Sequence, residues 1–305
     1  MLEYLSIPYS VCKQDDIEIK SFLDSQIGNQ DLKTVASFGH EWKKFSSFSD
    51  EEIESCAKSY FDLVDDSMLS QDSLVLDVGC GSGRWAKYLS DKVKFIEAID
   101  PSEAVFSAKS ELDKSGVKNV RFTQAEVERM PFANNSFDFV MSLGVLHHIP
   151  RTEDAVKKCV TKLKPGGWFL VYLYFNLDNR PWWYKNLLSF VTVFRNRISD
   201  FPPKSKKIAC EIIAAIVYWP MASFCRALSH IPKMDSYMGK IPLSSYRDKS
   251  FKIMRNDSLD RFGTPLEKRF SQLEIRSMLE NAGLTNICFS EHSPYWHAVA
   301  QKPNV

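Results

Sequence analysis

Between Leu74 and Tyr174, short apolar runs alternate with stretches whose apolar residues recur every three or four positions, a pattern that predicts strands and helices in βαβ succession. The runs predict strands at about 74–78, 94–99, 119–123, 137–142 and 167–175, with helices at 84–90, 102–114 and 152–163 between them. Strands joined through helices run parallel, because a tight turn cannot return the chain to the same end of a sheet. Ser102 is the expected cap of the second helix, and Pro165, Gly166 and Gly167 are expected to form the turn that ends the third.

On either side the pattern changes. Residues 1–35 are mixed and mostly polar and predict no element. Phe38, Trp42, Phe45 and Phe48 then recur at three- or four-residue intervals before Ser49, which with Glu52 forms a capping box for a helix to about Asp65. This stretch reads either as a strap tying an N-terminal arm to the core or as a lid in which His40, Trp42 or Tyr60 touches ligand. Towards the end, residues 269–284 repeat the capping box with Ser271 and Glu274, place apolar residues at 275, 278 and 279, and stop at Gly283. Strands at about 285–290 and 295–301 follow.

Residues 176–265 fit neither period. They hold the longest apolar run, Ile212 to Cys225, which is interrupted by Pro220 and too short to span a bilayer, so it is expected to be buried or interfacial. Basic residues outnumber acidic ones about two to one here, against a slightly acidic remainder. Entering after the fifth strand, the insertion would lie over the ligand crevice at the carboxyl edge of the sheet. It is expected to cap that crevice, to form a dimer interface, or both.

Composition narrows the function classes. A chain of 305 residues buries a sizeable core, and 39 basic against 38 acidic residues argue against a dedicated nucleic-acid binder. The seven cysteines form no CxxC or His-Cys cluster, so neither a metal site nor a disulfide framework is expected. The N-terminus lacks the pattern of a signal peptide, and a cytoplasmic location is expected.

The candidate chemistry begins at LVLDVGCGSGRWAKYL, residues 74–89. Here a strand ending at Asp77 and Val78 meets a turn with glycines at 79, 81 and 83 and then a helix, an arrangement that makes a nucleotide-binding corner. Asp100, about twenty residues on and at the end of the next strand, stands where a carboxylate can accept from ribose hydroxyls. That spacing also suits a dinucleotide enzyme. The distinguishing features are the GxGxG turn and the later segments AEVERMPF (125–132), SFDFVMSLGVLHHI (136–149) and LKPGGWFLVY (163–172). In this order they resemble the class I S-adenosylmethionine-dependent methyltransferase family, over roughly residues 70–175 and again near 266–301.

The resemblance implies an α/β Rossmann-like methyltransferase fold: a seven-stranded, mostly parallel sheet with an antiparallel C-terminal strand. Added to it are an N-terminal helical arm (1–70) and a largely helical insertion (176–265), with 71–175 and 266–305 forming the catalytic domain. It implies S-adenosylmethionine as cofactor, with Asp77, Gly79, Gly81 and Gly83 around its methionine and sugar part and Asp100 on the ribose. Glu126 and Val127 stand at the adenine, although Glu126 departs from the aspartate common in the family. Ser142 and Leu143 line the path to the acceptor, and Arg84 either pairs with the cofactor carboxylate or faces solvent.

Methyl transfer needs alignment more than acid–base chemistry, and a base only when the acceptor carries a proton. His147 and His148 are the base candidates, with hydrogen bonding to backbone as the alternative role. Trp42, Tyr174, Asn176, Trp182, Trp183, Tyr246 and Arg255 are candidate acceptor contacts, and at least one of the two adjacent tryptophans is expected to face a pocket or interface. The expected reaction is methylation of a small, planar aromatic or heteroaromatic acceptor, with nitrogen slightly favoured over oxygen. One alternative is a membrane-borne quinone or lipid precursor, with the insertion resting peripherally on the bilayer. Another is a non-catalytic cofactor-binding scaffold.

Overall fold

The computed structural model describes residues 2–14, 16–24, 28–42, 49–231 and 241–304, apart from the side chains of 40–42. The chain divides into two compact units, Met1–Asn176 with Leu266–Val305, and Leu177–Pro265. In chain order the first unit contributes β1 (Ser10–Gln14), β2 (Ile17–Ser21), α1 (Leu32–Trp42), α2 (Asp50–Tyr60), β3 (Leu74–Val78), α3 (Arg84–Leu89), β4 (Phe95–Asp100) and α4 (Ala104–Lys114). It continues through β5 (Val120–Gln124), β6 (Phe137–Leu143), α5 (Thr152–Lys162) and β7 (Leu163–Tyr172). The second unit holds α6 (Trp182–Ser199), α7 (Pro203–Ile213), α8 (Trp219–Ser229) and α9 (Phe251–Gly263). The first then resumes with α10 (Gln272–Asn281), β8 (Thr285–Phe289) and β9 (His297–Gln301).

The sheet of the first unit runs β1-β2-β5-β4-β3-β6-β7-β9-β8. The strands from β2 to β7 pair in parallel, whereas β9 is antiparallel to both β7 and β8. Side chains of a strand alternate between faces, so Val75, Ile96, Ala98, Phe139, Met141 and Leu170 enter one core while Leu76, Val78, Ile99, Val140, Phe169 and Val171 enter the other. The first core receives Trp85, Ala86 and Leu89 of α3 and Val105, Ala108 and Leu112 of α4; the second receives Ala155, Val156 and Cys159 of α5 and Ile275 and Leu279 of α10. This double burial is why the central strands read as nearly continuous apolar runs.

Three expectations need correction. The sheet has nine strands, not seven: the seven expected strands are present, and an N-terminal hairpin adds β2 against β5 through the single pair Ser21–Gln124. This edge hairpin is mostly exposed and too sparse in apolar residues to have shown a period. Pro165-Gly166-Gly167 is not a turn but a bulge within β7, where Gly166 takes φ +79° and the register against β6 shifts. The helix expected to reach Asp65 ends at Tyr60, although its capping box at Ser49 and Glu52 is present, as is that at Ser271 and Glu274.

In the second unit α7, a wider π turn over Ala214–Tyr218, and α8 form one helix from Pro203 to Ser229. Pro220 has no N–H and its ring would crowd the carbonyl one turn back, so a wide turn just before it lets the helix pass. Tyr218, Ala222, Tyr246 and Met254 form a small core. α9 is tied down by Ser258 donating to the Cys210 carbonyl at 2.8 Å, Lys206 to Gly263 at 2.9 Å and Arg195 to Thr264 at 2.9 Å.

Candidate functional site

The carboxyl ends of β3 to β6 and the residues just after β7 bring the candidate groups of the first unit to one edge. The glycine turn is hung on β4, because Gly79 and Cys80 both donate their N–H to the Ile99 carbonyl, at 2.8 and 3.0 Å. Gly79 has φ +79°, and a Cβ there would run into the Val145 side chain. Gly79→Ala is therefore expected to cost about 2–4 kcal/mol, combining left-handed strain with overpacking, as read by denaturant unfolding.

Asp77 is buried at the end of β3. Burial, and secondarily the nearby Asp100 carboxylate, push its pKa up to about 8 against the pull of Arg84. Asp100 closes the turn from the other side. One of its oxygens accepts from Gly81 N–H at 3.1 Å, and the other from the Ser102 N–H and hydroxyl at 2.8 and 2.6 Å. Burial raises its pKa too, and these three donors oppose the shift.

Three buried oxygens around this corner have no hydrogen-bond partner among the described residues: Asp77 Oδ2, Ser82 Oγ and Glu126 Oε2. Buried acceptors are normally satisfied, so this set fits a ligand bearing N–H and O–H donors. Glu126 follows β5, its other oxygen 3.5 Å from Arg129, and burial raises its pKa. Gly28 of the N-terminal arm lies so close that a Cβ would strike the Glu126 carboxylate. Val127 is buried behind it.

The arm then crosses the same edge. Asn29 accepts from Arg151 N–H at 2.8 Å and donates to Glu128, Thr34 accepts from Leu266 N–H at 3.2 Å, and Gly39 sits against Ser102. The Phe38 ring meets His148 edge-on at 5.0 Å. His40, Trp42, Phe45 and Phe48, named in the sequence, have side chains outside the described residues.

The end of β6 divides its groups between structure and chemistry. Ser142 donates to the Val78 carbonyl at 2.9 Å, stitching β6 to β3, and Leu143 packs in the core. His148 uses Nδ1 on the Leu266 carbonyl at 2.6 Å. His147 is fully buried and stacks on Tyr174 at 3.9 Å, and neither ring nitrogen has a hydrogen-bond partner among the described residues. Burial, with His148 and Arg269 nearby, holds its pKa well below the usual histidine range, so the ring is neutral. Tyr60 and Tyr172 extend this aromatic wall at 5.4 Å from each other. Asn176 is fixed by its N–H to the Phe270 carbonyl at 3.0 Å.

The other candidates fall in the second unit. Trp182 and Trp183 are both exposed at the start of α6, which leaves an interface as the role open to them. Tyr246 is buried in the small core and donates to Asp257 at 2.6 Å, while Arg255 pairs with Glu211. Sequence reasoning missed Ser82, Gly28 and the role of Ser102 as a donor to Asp100; Ser102 was expected to cap α4, but Glu103 holds the cap position without a side-chain cap bond, and the Ser102 hydroxyl serves Asp100.

A family model described as a methyltransferase domain matches residues 76–171, from β3 to the end of β7. An uncharacterized methyltransferase, YcgJ, of Bacillus subtilis is 37% identical over 98 residues, 32% of this chain and 39% of that one. The ubiquinone biosynthesis O-methyltransferase of Coxiella burnetii is 27% identical over 106 residues, 35% of this chain and 44% of that one. The chain thus spans less than half the length of these relatives. Among solved structures, that of the same Bacillus subtilis YcgJ aligns with a TM-score of 0.44 at 19% identity, covering 80% of this chain and 98% of that one. Residues 76–171 thus form a methyltransferase domain of the class I S-adenosylmethionine-dependent type, and S-adenosylmethionine is the cofactor of that domain.

Proposed function

We propose that the protein methylates a small, largely apolar and planar acceptor. The observation that carries this reading is the aromatic wall of Tyr60, Tyr172 and Tyr174 around the neutral His147, whose ring nitrogens have no hydrogen-bond partner among the described residues, in the same unit as the glycine corner. Bound S-adenosylmethionine supplies an electrophilic methyl group on a sulfonium. Asp77 would hold the methionine end, Asp100 the ribose and Glu126 the adenine amino group, each offering an acceptor oxygen where the cofactor has donors. Arg84 is assigned to the cofactor carboxylate, and Leu143 to the wall of the transfer path. The aromatic wall would orient a flat ring and exclude water.

His147 decides how the acceptor proton is handled. Its unprotonated ring nitrogen can take a proton from a hydroxyl, whereas a neutral heteroaromatic nitrogen attacks without a base. His147→Asn is therefore expected to lower kcat on hydroxyl acceptors by about 10²–10⁴, and to leave neutral nitrogen acceptors within a few-fold. Release of S-adenosylhomocysteine across a panel of both acceptor types reads this directly. An equal effect on both types would remove the base role. No turnover on any member, with cofactor binding intact, would favour the non-catalytic scaffold.

A second reading is supported by the apolar exterior of the second unit: the acceptor is a membrane-borne quinone or lipid precursor. Relatives named for ubiquinone biosynthesis agree with it, among them the ubiquinone/menaquinone biosynthesis C-methyltransferase of Azotobacter vinelandii, 33% identical over 102 residues. Hydroxylated quinone precursors in detergent belong in the same acceptor panel.

A further inference from the structure

The helix Pro203–Ser229 is built inside out for a surface helix in water. Its inner face carries Cys210, Ala214, Tyr218, Ala222 and Cys225, all buried. Its outer face carries the larger Ile208, Ile212, Ile216 and Trp219, at intervals of four, four and three residues and between 50% and 67% exposed. A helix on a water-facing surface sets polar residues there. Between Ile208 and Cys225 the only charged residue is Glu211. Only 28% of the most apolar 18-residue window is buried, so burial of the 212–225 run is confined to its inner face.

α6 repeats the arrangement independently. Trp183, Leu187, Phe190 and Phe194 form an exposed stripe spaced by four, three and four, and the residues that α6 buries are Arg195 and Ser199. Two neighbouring elements thus turn their apolar sides outward, which single exposed side chains on a soluble protein do not do.

We propose that this unit docks on an anionic lipid bilayer, with the helix Pro203–Ser229 lying in the plane of the interface. Charge selects the partner. Residues 176–265 contain fifteen lysines and arginines against seven aspartates and glutamates, a surplus that suits anionic headgroups and would oppose a second copy of the same face. Trp182, Trp183 and Trp219 are of the residue type that settles at headgroup depth. The apolar window, about 27 Å long, could cross the hydrocarbon. The inner face argues against crossing, since it is held to its own unit by the Ser258 bond to the Cys210 carbonyl and lies beside the Arg255–Glu211 and Tyr246–Asp257 pairs, which hydrocarbon would not accept. The docking surface belongs to the second unit alone and does not depend on which acceptor is methylated.

The test is flotation of the full chain with vesicles of phosphatidylcholine alone or mixed with phosphatidylglycerol. Binding is expected to be roughly tenfold or more stronger on the anionic vesicles and to fall in high salt. The combined Phe190→Ser, Ile216→Ser and Trp219→Ser changes should reduce it at least tenfold with the circular dichroism spectrum and S-adenosylmethionine affinity unchanged. Lys185→Glu with Arg197→Glu should weaken the preference for anionic lipid at least several-fold while leaving the apolar stripes intact. Absence of vesicle binding, or binding indifferent to the serine changes, overturns the proposal. So does a dimer in sedimentation that the serine changes dissociate, since a second copy would then cover the face. Resistance to extraction by alkaline carbonate would overturn the in-plane placement. Methyl transfer is measured separately, so its loss and loss of docking are distinguishable.

Discussion

Asp77→Asn is expected to stabilise the cofactor-free protein and to weaken its affinity for S-adenosylmethionine roughly ten- to hundredfold, the range of a lost charge-assisted hydrogen bond. The two effects share one cause. The Asp77 carboxyl is buried beside Asp100, and its pKa rises from 3.8 to about 8. Below the lower value both folded and unfolded chains carry the proton. Between the two values only the folded chain holds it, so stability falls as pH rises, by at most ~1.4 kcal/mol per pH unit, and levels off above the upper value. Asparagine removes this dependence, and the gap in melting temperature between variant and wild type should widen from pH 5 to pH 8.

Cofactor binding runs the other way. An ammonium group beside Asp77 requires the carboxylate, so binding draws off the proton that the free enzyme holds, and wild-type affinity should rise with pH up to about 8. Calorimetry on both proteins separates this from the ligand's own titration, because the variant retains only the latter. An identical pH dependence in the two would remove Asp77 from the cofactor site.

Asp100→Ala is expected to damage both binding and fold. The side chain satisfies three donors, Gly81 N–H and the Ser102 N–H and hydroxyl, and truncation leaves them in a buried corner. The expected stability loss is about 2–4 kcal/mol, with cofactor affinity down more than tenfold. Asp100→Asn separates the two losses. It keeps one carbonyl oxygen for the Ser102 donors and gives up the second acceptor, so most stability should return while the ribose contact stays impaired. If calorimetry on folded Asp100→Ala protein finds unchanged affinity, the ribose assignment fails.

Much of the first unit was legible in the sequence, for local reasons. A parallel strand buried on both faces must be apolar along its length, so Leu74–Val78, Phe95–Asp100, Val120–Gln124 and Phe137–Leu143 were visible to within a residue, whereas β7, expected at 167–175, begins four residues earlier and ends three earlier. The capping boxes at Ser49 and Ser271 are complete within four residues and were read correctly. The hairpin of β1 and β2 was not visible, since an edge strand has little apolar surface to bury and leaves no period. Nor was the bulge at Gly166, where the same residues that make a turn in isolation are held in register by the strands beside them.

The site divides along the same line. Asp77, the three glycines and Asp100 were evident because they lie in one βαβ stretch, where sequence spacing is spatial spacing. The setting of Gly28 against Glu126, the use of Ser142 on backbone and the isolation of His147 depend on residues far apart in the chain, and only folding brought them together. The insertion shows the limit most plainly. Its composition disclosed an apolar, basic segment, but whether the apolar side faced in or out is a question of which face finds a partner. Periodicity cannot answer that for a helix that is apolar all round. The sequence by itself therefore determined the alternation of strands and helices from β3 to β7, the glycine corner and, through the family resemblance, the cofactor. Tertiary structure decided which polar atoms were left unpartnered for a ligand and which hydrophobic face was left uncovered, because both depend on contacts that no local pattern encodes.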